Sequence, residues 1–259
     1  MKLLLMKRSF PYVDMDDLMD KQSCKRFCMQ QHRYPTINKP KNLSKVSIVL
    51  FDMDGVLVDG ISSWKFIHDH YNMNNDASVE AYVKGEIDDA EFIRTDVNMW
   101  MKQKDPMTKT KLENLLSKMP LIYGAENCFK WIKQQNIQTA IVSAGIKTLA
   151  NMVAKELDIT HVFANELISD EKGYLTGEGI VEVPLKEKDK TVKNIHDKTG
   201  IPYEEMVSVG NSCYDIPMLA CVGLGVAFNP ADDCVIDHAD EIIKKKDLSL
   251  LIPILEKYI

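Results

Sequence analysis

Apolar positions along the chain keep two different rhythms. Val46, Ile48, Val49, Leu50 and Phe51 form a short, nearly unbroken apolar run rich in β-branched residues. A run of that kind predicts a strand buried on both faces of a parallel sheet. The stretch 138–142 (QTAIV) carries the same signal, as do shorter stretches at 161–163, 206–209, 225–228 and 241–243. Between them, apolar residues recur at helical spacing. Phe129 and Trp131 mark one such segment, 147–157 the next, and Val192 and Ile195 a third that ends at Gly200. Helices are also predicted over 214–222 and in an amphipathic closing segment. Gly173, Gly177 and Gly179 punctuate 167–183, which predicts a β-hairpin. Strands alternating with helices predict an α/β fold, with a parallel sheet covered on both faces.

The alternation is interrupted over residues 60–121. Ser62 or Ser63 can cap a helix carrying Trp64, Ile67 and Tyr71. Val79, Tyr82 and Val83 suggest a second helix before Gly85, and Asp88 and Asp89 open a third with Phe92, Ile93, Val97 and Trp100 in register. Leu112, Leu115 and Leu116 continue the pattern in a fourth. No strand signal separates them, so 60–121 reads as a small helical domain inserted into the sheet domain, with its far boundary near Pro120. The sheet domain then comprises 45–59 and 122–259. Residues 1–44 fit a packed domain least well. They are rich in Lys, Arg, Gln, Asp and Met and interrupted by Pro11, Pro35 and Pro40, so a loosely ordered extension is expected. Within it, 16–29 could form a short helix with Cys24 and Cys28 on one face.

Composition narrows the function classes. At 259 residues the chain is long enough for a sizeable core and an insertion. A formal net charge of -6, with no basic stripe interleaved with aromatics, argues against nucleic-acid binding. Six cysteines in a chain of this length, without a Cys-x-x-Cys pair, read as reduced thiols of a cytoplasmic protein. No stretch has the length of a membrane span, and the opening MKLLLMKRSF returns to charge too soon for a secretory signal. The oligomeric state is left open.

Polar groups gather where strands end or helices begin. Asp52, Met53, Asp54 and Gly55 follow the first strand, so two carboxylates lie beyond its carboxyl end, where ligands bind in open α/β sheets. Ser143, Ala144 and Gly145 follow the second strand, immediately before a helix whose N-terminal amides can bind an anion. Lys188 or Lys190 opens a later helix, and Asn211 and Asp215 follow a further strand. Each has a plainer reading. The aspartates can be solvated, Ser143 and Asp215 can be helix caps, and either lysine can be a surface charge.

Taken together and in this order, these residues resemble the four signature motifs of the haloacid dehalogenase superfamily, over roughly residues 45–259. The helical insertion between the first and second motifs looks like the cap of the phosphoserine-phosphatase-like branch. The resemblance implies a Rossmann-like core and a magnesium-dependent phosphatase acting on a small phosphorylated metabolite. It implies that Asp52 attacks phosphorus to form an aspartyl phosphate, and that Asp54 is the acid and base. Ser143 and the amide of Ala144 would hold phosphate oxygens. The lysine, Lys188 on ungapped spacing back from Gly200 and Gly210, would neutralise charge. Asp52, the carbonyl of Asp54, Asn211 and Asp215 would hold Mg2+. A phosphomutase of the same superfamily, or a non-catalytic protein that binds a phosphorylated ligand, stays open; a dehalogenase is disfavoured, because it would not need Asp54.

The chain also departs from the pattern. Asn211 stands where the family usually has an aspartate, which puts a neutral amide at the expected metal site. Phosphoserine recognition would require a glutamate at Ile61, an arginine at Asp96 and an asparagine at Tyr214. The leaving group is therefore expected to differ from serine, with Trp64 or Trp100 as its contact.

Overall fold

The computed structural model describes residues 37–259. The predicted helix at 16–29, with Cys24 and Cys28, lies outside them. The elements run β1 (Ile48–Phe51), α1 (Ser63–His70), α2 (Asp76–Lys84), α3 (Asp89–Met101), α4 (Lys109–Leu116) and α5 (Ala125–Gln134). There follow β2 (Gln138–Ile146), α6 (Lys147–Leu157), the hairpin strands β3 (His161–Ser169) and β4 (Leu175–Ile180), and α7 (Lys188–Thr199). The chain closes with β5 (Met206–Gly210), α8 (Ile216–Leu219), β6 (Leu224–Phe228), α9 (Asp233–Asp237), β7 (Glu241–Ile243) and α10 (Ile252–Leu255).

The seven strands form one sheet in the order β4-β3-β2-β1-β5-β6-β7. All neighbours are parallel except β3 and β4. β1 is central and fully buried, which accounts for its unbroken apolar run. Val49 and Phe51 face one core layer, where the Phe51 and Phe129 rings lie 4.9 Å apart. Ile48 and Leu50 face the other, with Val142, Val192, Ile195 and Met218. The chain builds outward from β1 to β3, then restarts at β5 on the other side. Strand order therefore reverses beside β1, the place where an open α/β sheet leaves a crevice.

Helices α1–α4 lie between β1 and α5. The chain leaves after Val58 and returns at Leu121, and the two segments pair there, with the Asp59 N–H donating to the Pro120 carbonyl at 2.8 Å. α3 packs on the hairpin, where Gly179 leaves room for Ile93 and Arg94 pairs with Glu178. The start of β4 is bonded by the segment before α4: Lys109 N–H donates to the Gly173 carbonyl at 2.9 Å, and Leu175 N–H to the Met107 carbonyl at 3.2 Å.

Several elements differ from the sequence expectation. β2 continues through Ser143 to Ile146, with a register shift between them, and β3 runs on into the hairpin. The expected helix over 214–222 is a 3-10 turn (Cys213–Asp215) followed by the single turn of α8. It ends at Leu219 with Ala220 as its C-cap, and Gly223 N–H donates to the Tyr203 carbonyl at 2.8 Å. The closing helix is divided, because Pro253 favours a fresh helix start rather than continuation. α9 was not expected; the side chain of Asp232 caps it by accepting from Val235 N–H at 2.9 Å. Within 37–44, Leu43 is buried against Gly223, Ser44 N–H donates to the Glu204 carbonyl, and Lys39 pairs with Asp240. Among the described residues, no helix is long and apolar enough to cross a membrane.

Candidate active site

Phe51 is paired with both Ile141 and Val209, so Asp52, Ser143 and Asn211 all emerge at one end of the sheet. Asp52 is anchored there by its N–H, which donates to the Val209 carbonyl at 2.9 Å. Lys188 is the first residue of α7 and is almost wholly buried. A cation at that end opposes the helix dipole, so the position needs compensating negative charge. Two carboxylates supply it: Lys188 Nζ donates to Asp52 Oδ1 at 2.8 Å and to Asp215 Oδ1 at 2.6 Å. Lys190 lies on the surface and pairs with Glu187.

One ammonium cannot neutralise two carboxylates. Burial pushes the Asp52 carboxyl up to about 7; Lys188 works against that shift and Asp215 adds to it. Burial alone would lower the Lys188 ammonium, but Asp215 and Asp52 together hold it above its ordinary range.

Asp215 is completely buried and uses both oxygens within the protein. Oδ1 takes Lys188, and Oδ2 accepts from the N–H groups of Asn211 at 2.8 Å and Ser212 at 3.0 Å. It is therefore bonded to the lysine and to the 211–212 turn. The Asn211 amide packs over Gly55, where a Cβ would come within 2.2 Å of it; Gly55 has φ +78 and is open to a close approach that another residue would block. Among the described residues, no three His, Cys, Asp or Glu side chains converge to hold a metal by themselves. The set expected from the sequence is Asp52, the Asp54 carbonyl, Asn211 and Asp215. All are hard oxygen donors, and one or two carboxylates plus phosphate oxygens suit magnesium, so the residues fit that ion.

Asp54 is held differently. Its Oδ2 accepts from Ser63 Oγ at 2.9 Å, while its buried Oδ1 has no hydrogen-bond partner among the described residues. Burial raises this carboxyl above its ordinary range, opposed by hydrogen bonds from Ser63 and by Lys188. Ser143 is buried within β2, and its hydroxyl accepts from Gly145 N–H at 3.1 Å. It is not a helix cap, since Ile146 occupies that position in α6. The Ala144 carbonyl accepts from Trp64 Nε1 at 3.1 Å and Asn165 Nδ2 at 3.3 Å, which ties α1 and β3 to the end of β2. A second tie joins α2 and α3 to the segment before α7. Asp89 Oδ1 accepts from Leu185 N–H at 2.9 Å, and Lys186 donates to the Tyr82 and Val83 carbonyls.

The family model for haloacid dehalogenase-like hydrolases matches residues 49–220. The chain belongs to that family. Among curated proteins it is 30% identical over 230 residues to a phosphoserine phosphatase of Archaeoglobus fulgidus, covering 86% of this chain and 62% of that one. It is also 30% identical over 210 residues to a phosphoserine phosphatase of Methanocaldococcus jannaschii, covering 79% of this chain and 95% of the other. A solved structure described as a phospho-aspartyl intermediate analogue of phosphoserine phosphatase superposes with a TM-score of 0.69 at 27% identity, over 82% of this chain and 99% of that one. The haloacid dehalogenase fold thus accounts for the sheet order and for the clustering of Asp52, Asp54, Lys188 and Asp215 at one end of it.

Two further residues border this cluster. Of the two serines at the start of α1, Ser62 is the cap, accepting from Lys65 N–H, which leaves Ser63 to Asp54. Gly145 lies near the end of β2. A Cβ there would stand 2.7 Å from Asp54 Oδ2 and 2.8 Å from Ser63 Oγ. The available signal was a glycine directly after the Ser143-Ala144 pair, at a bend in a buried strand.

Proposed function

We propose that the chain hydrolyses a small phosphomonoester through an aspartyl phosphate on Asp52, with magnesium as cofactor. The observation that carries this reading is the buried Asp52–Lys188–Asp215 triad at the reversal point of the sheet. Asp52 attacks phosphorus, and Lys188 offsets the charge that would otherwise keep two anions apart. Asp54 gives a proton to the leaving oxygen, then takes one from the water that releases phosphate. Ser143 and the amide of Ala144 bind phosphate oxygens. Asp52, the Asp54 carbonyl, Asn211 and Asp215 would hold magnesium, which supplies positive charge to the equatorial oxygens. Asp215 also orients Lys188 and the 211–212 turn. Residues 60–121 form the cap over this site, and the protein works in the cytoplasm.

The relatives named above are phosphoserine phosphatases, but serine is not the leaving group proposed for this chain. Asp96, at the position where an arginine was expected, is wholly buried and accepts from Asn75 at 2.8 Å, with His68 at 3.0 Å. Arg94 is turned to Glu91 and Glu178. Neither supplies a free cation for a substrate carboxylate. Trp100 is fully buried, whereas the Trp64 indole N–H donates to the carbonyl of Ala144, next to Ser143. Steady-state kinetics on phosphoserine, sugar phosphates and nucleotides, with and without magnesium, tests the reading. Turnover that needs magnesium and prefers a substrate other than phosphoserine is expected. A wide preference for phosphoserine would overturn the substrate assignment, and absence of turnover on every member would overturn the enzymatic one.

A further inference from the structure

We propose that Ser63 is the positioning residue for Asp54, holding one carboxyl oxygen so that the other, Oδ1, carries the transferred proton. The inference rests on reading Asp54 as the acid and base.

Ser63 is completely buried, so no bulk water competes for its hydroxyl. Ile146 N–H donates to Ser63 Oγ at 3.2 Å, and Ser63 Oγ lies 2.9 Å from Asp54 Oδ2. A hydroxyl has one hydrogen and accepts through its lone pairs. With a backbone N–H donating into the oxygen, the hydroxyl hydrogen is the one directed at Oδ2. That oxygen is then committed. Oδ1, equally buried and without a hydrogen-bond partner among the described residues, is the open proton position. Gly145 makes the arrangement possible, because any side chain there would displace both Asp54 Oδ2 and Ser63 Oγ. Ser63 also joins three pieces of the molecule: the first turn of α1, the carboxylate loop after β1, and the end of β2.

The proton balance is simple. As the Asp52 oxygen bonds to phosphorus, the bond from phosphorus to the leaving oxygen breaks, and its electron pair takes the proton from Asp54 Oδ1. In the second step a water proton passes to Oδ1 while the water oxygen bonds to phosphorus and the Asp52–phosphorus bond breaks.

The test compares leaving groups. β-Glycerol phosphate departs as an alkoxide and needs a proton; p-nitrophenyl phosphate departs as a stable phenolate and does not. The value of kcat/KM reports steps up to leaving-group departure, so it isolates the first transfer. Ser63→Ala is expected to lower kcat/KM roughly 10- to 100-fold on β-glycerol phosphate and less than about threefold on p-nitrophenyl phosphate. Asp54→Asn should show the same selectivity with a larger loss, and Ser63→Thr, which keeps the hydroxyl, should recover most of the activity. Where Ser63→Ala does not fold, Ser63→Cys keeps the volume with a weak donor and should show the same selective loss. Equal losses on both substrates, or no loss, would overturn the proposal in favour of a purely structural serine. An Asp54→Asn variant without selectivity would show that the acid assignment itself fails, and the Ser63 proposal with it.

Discussion

Trp100 donates its indole N–H to Nδ1 of His68 at 3.2 Å. An indole nitrogen can only donate, so Nδ1 is the acceptor and the ring proton sits on Nε2, facing Asp96 Oδ2 at 3.0 Å. Nitrogen chemical shifts of His68 should report the Nε2–H tautomer. Trp100→Phe should remove that constraint and lower unfolding stability by about 1–3 kcal/mol, the usual cost of a buried polar group without its partner. A tautomer with the proton on Nδ1 would refute the assignment.

Lys188 and Lys190 should separate cleanly in stability and in activity. Lys188→Met leaves two buried carboxylates without their cation and should cost about 3–5 kcal/mol, with loss of turnover. Lys190→Met removes an exposed pair with Glu187 and should cost no more than about 1 kcal/mol. Denaturant titration and a chromogenic phosphate ester would measure both. Similar costs at the two positions would mean that the buried triad does not exist in solution.

Asp52→Asn should abolish turnover, and borohydride trapping of the acyl phosphate should label Asp52 in the unmodified protein. The same substitution tests the electrostatics of the metal-free chain. A carboxyl raised to about 7 holds its proton more tightly in the folded state than in the unfolded one. Its contribution to stability is therefore lost as pH rises from roughly 4 to 7. Thermal melts in chelator should show wild-type stability falling relative to Asp52→Asn across that window and levelling above it. The opposite slope would mean that the attraction of Lys188 outweighs burial.

Asn211→Asp should lower the magnesium concentration for half-maximal activity, because a charged oxygen replaces an amide dipole beside Gly55. The gain should be confined to low magnesium. An unchanged or poorer dependence would mean that this side chain does not face the ion.

The parts of the fold that could be read directly from the chain are those set by burial on two faces. β1 is apolar throughout because both its faces are covered, and Asp52 is conspicuous as the first residue to break that run. What could not be read depends on contacts distant in sequence. Two adjacent serines at a helix start look alike; which one caps is decided by Asp54, nine residues before Ser63. Lys188 and Lys190 differ only in the direction their side chains take from α7, and the bond between Lys188 and Asp215 joins groups 27 residues apart. The helix expected over 214–222 is reduced to a 3-10 turn and the single turn Ile216–Leu219, and the closing helix is divided beside Pro253.

The bonds from Met107 and Lys109 to the start of β4 bear on the solubility of the molecule. An edge strand exposes a row of donors and acceptors that another chain can extend. Here part of that row is occupied by the helical segment, and the opposite edge, β7, is only three residues long. A minimal core made by deleting 60–121 would uncover the β4 edge, and its first failure would be self-association through that strand rather than loss of the central sheet.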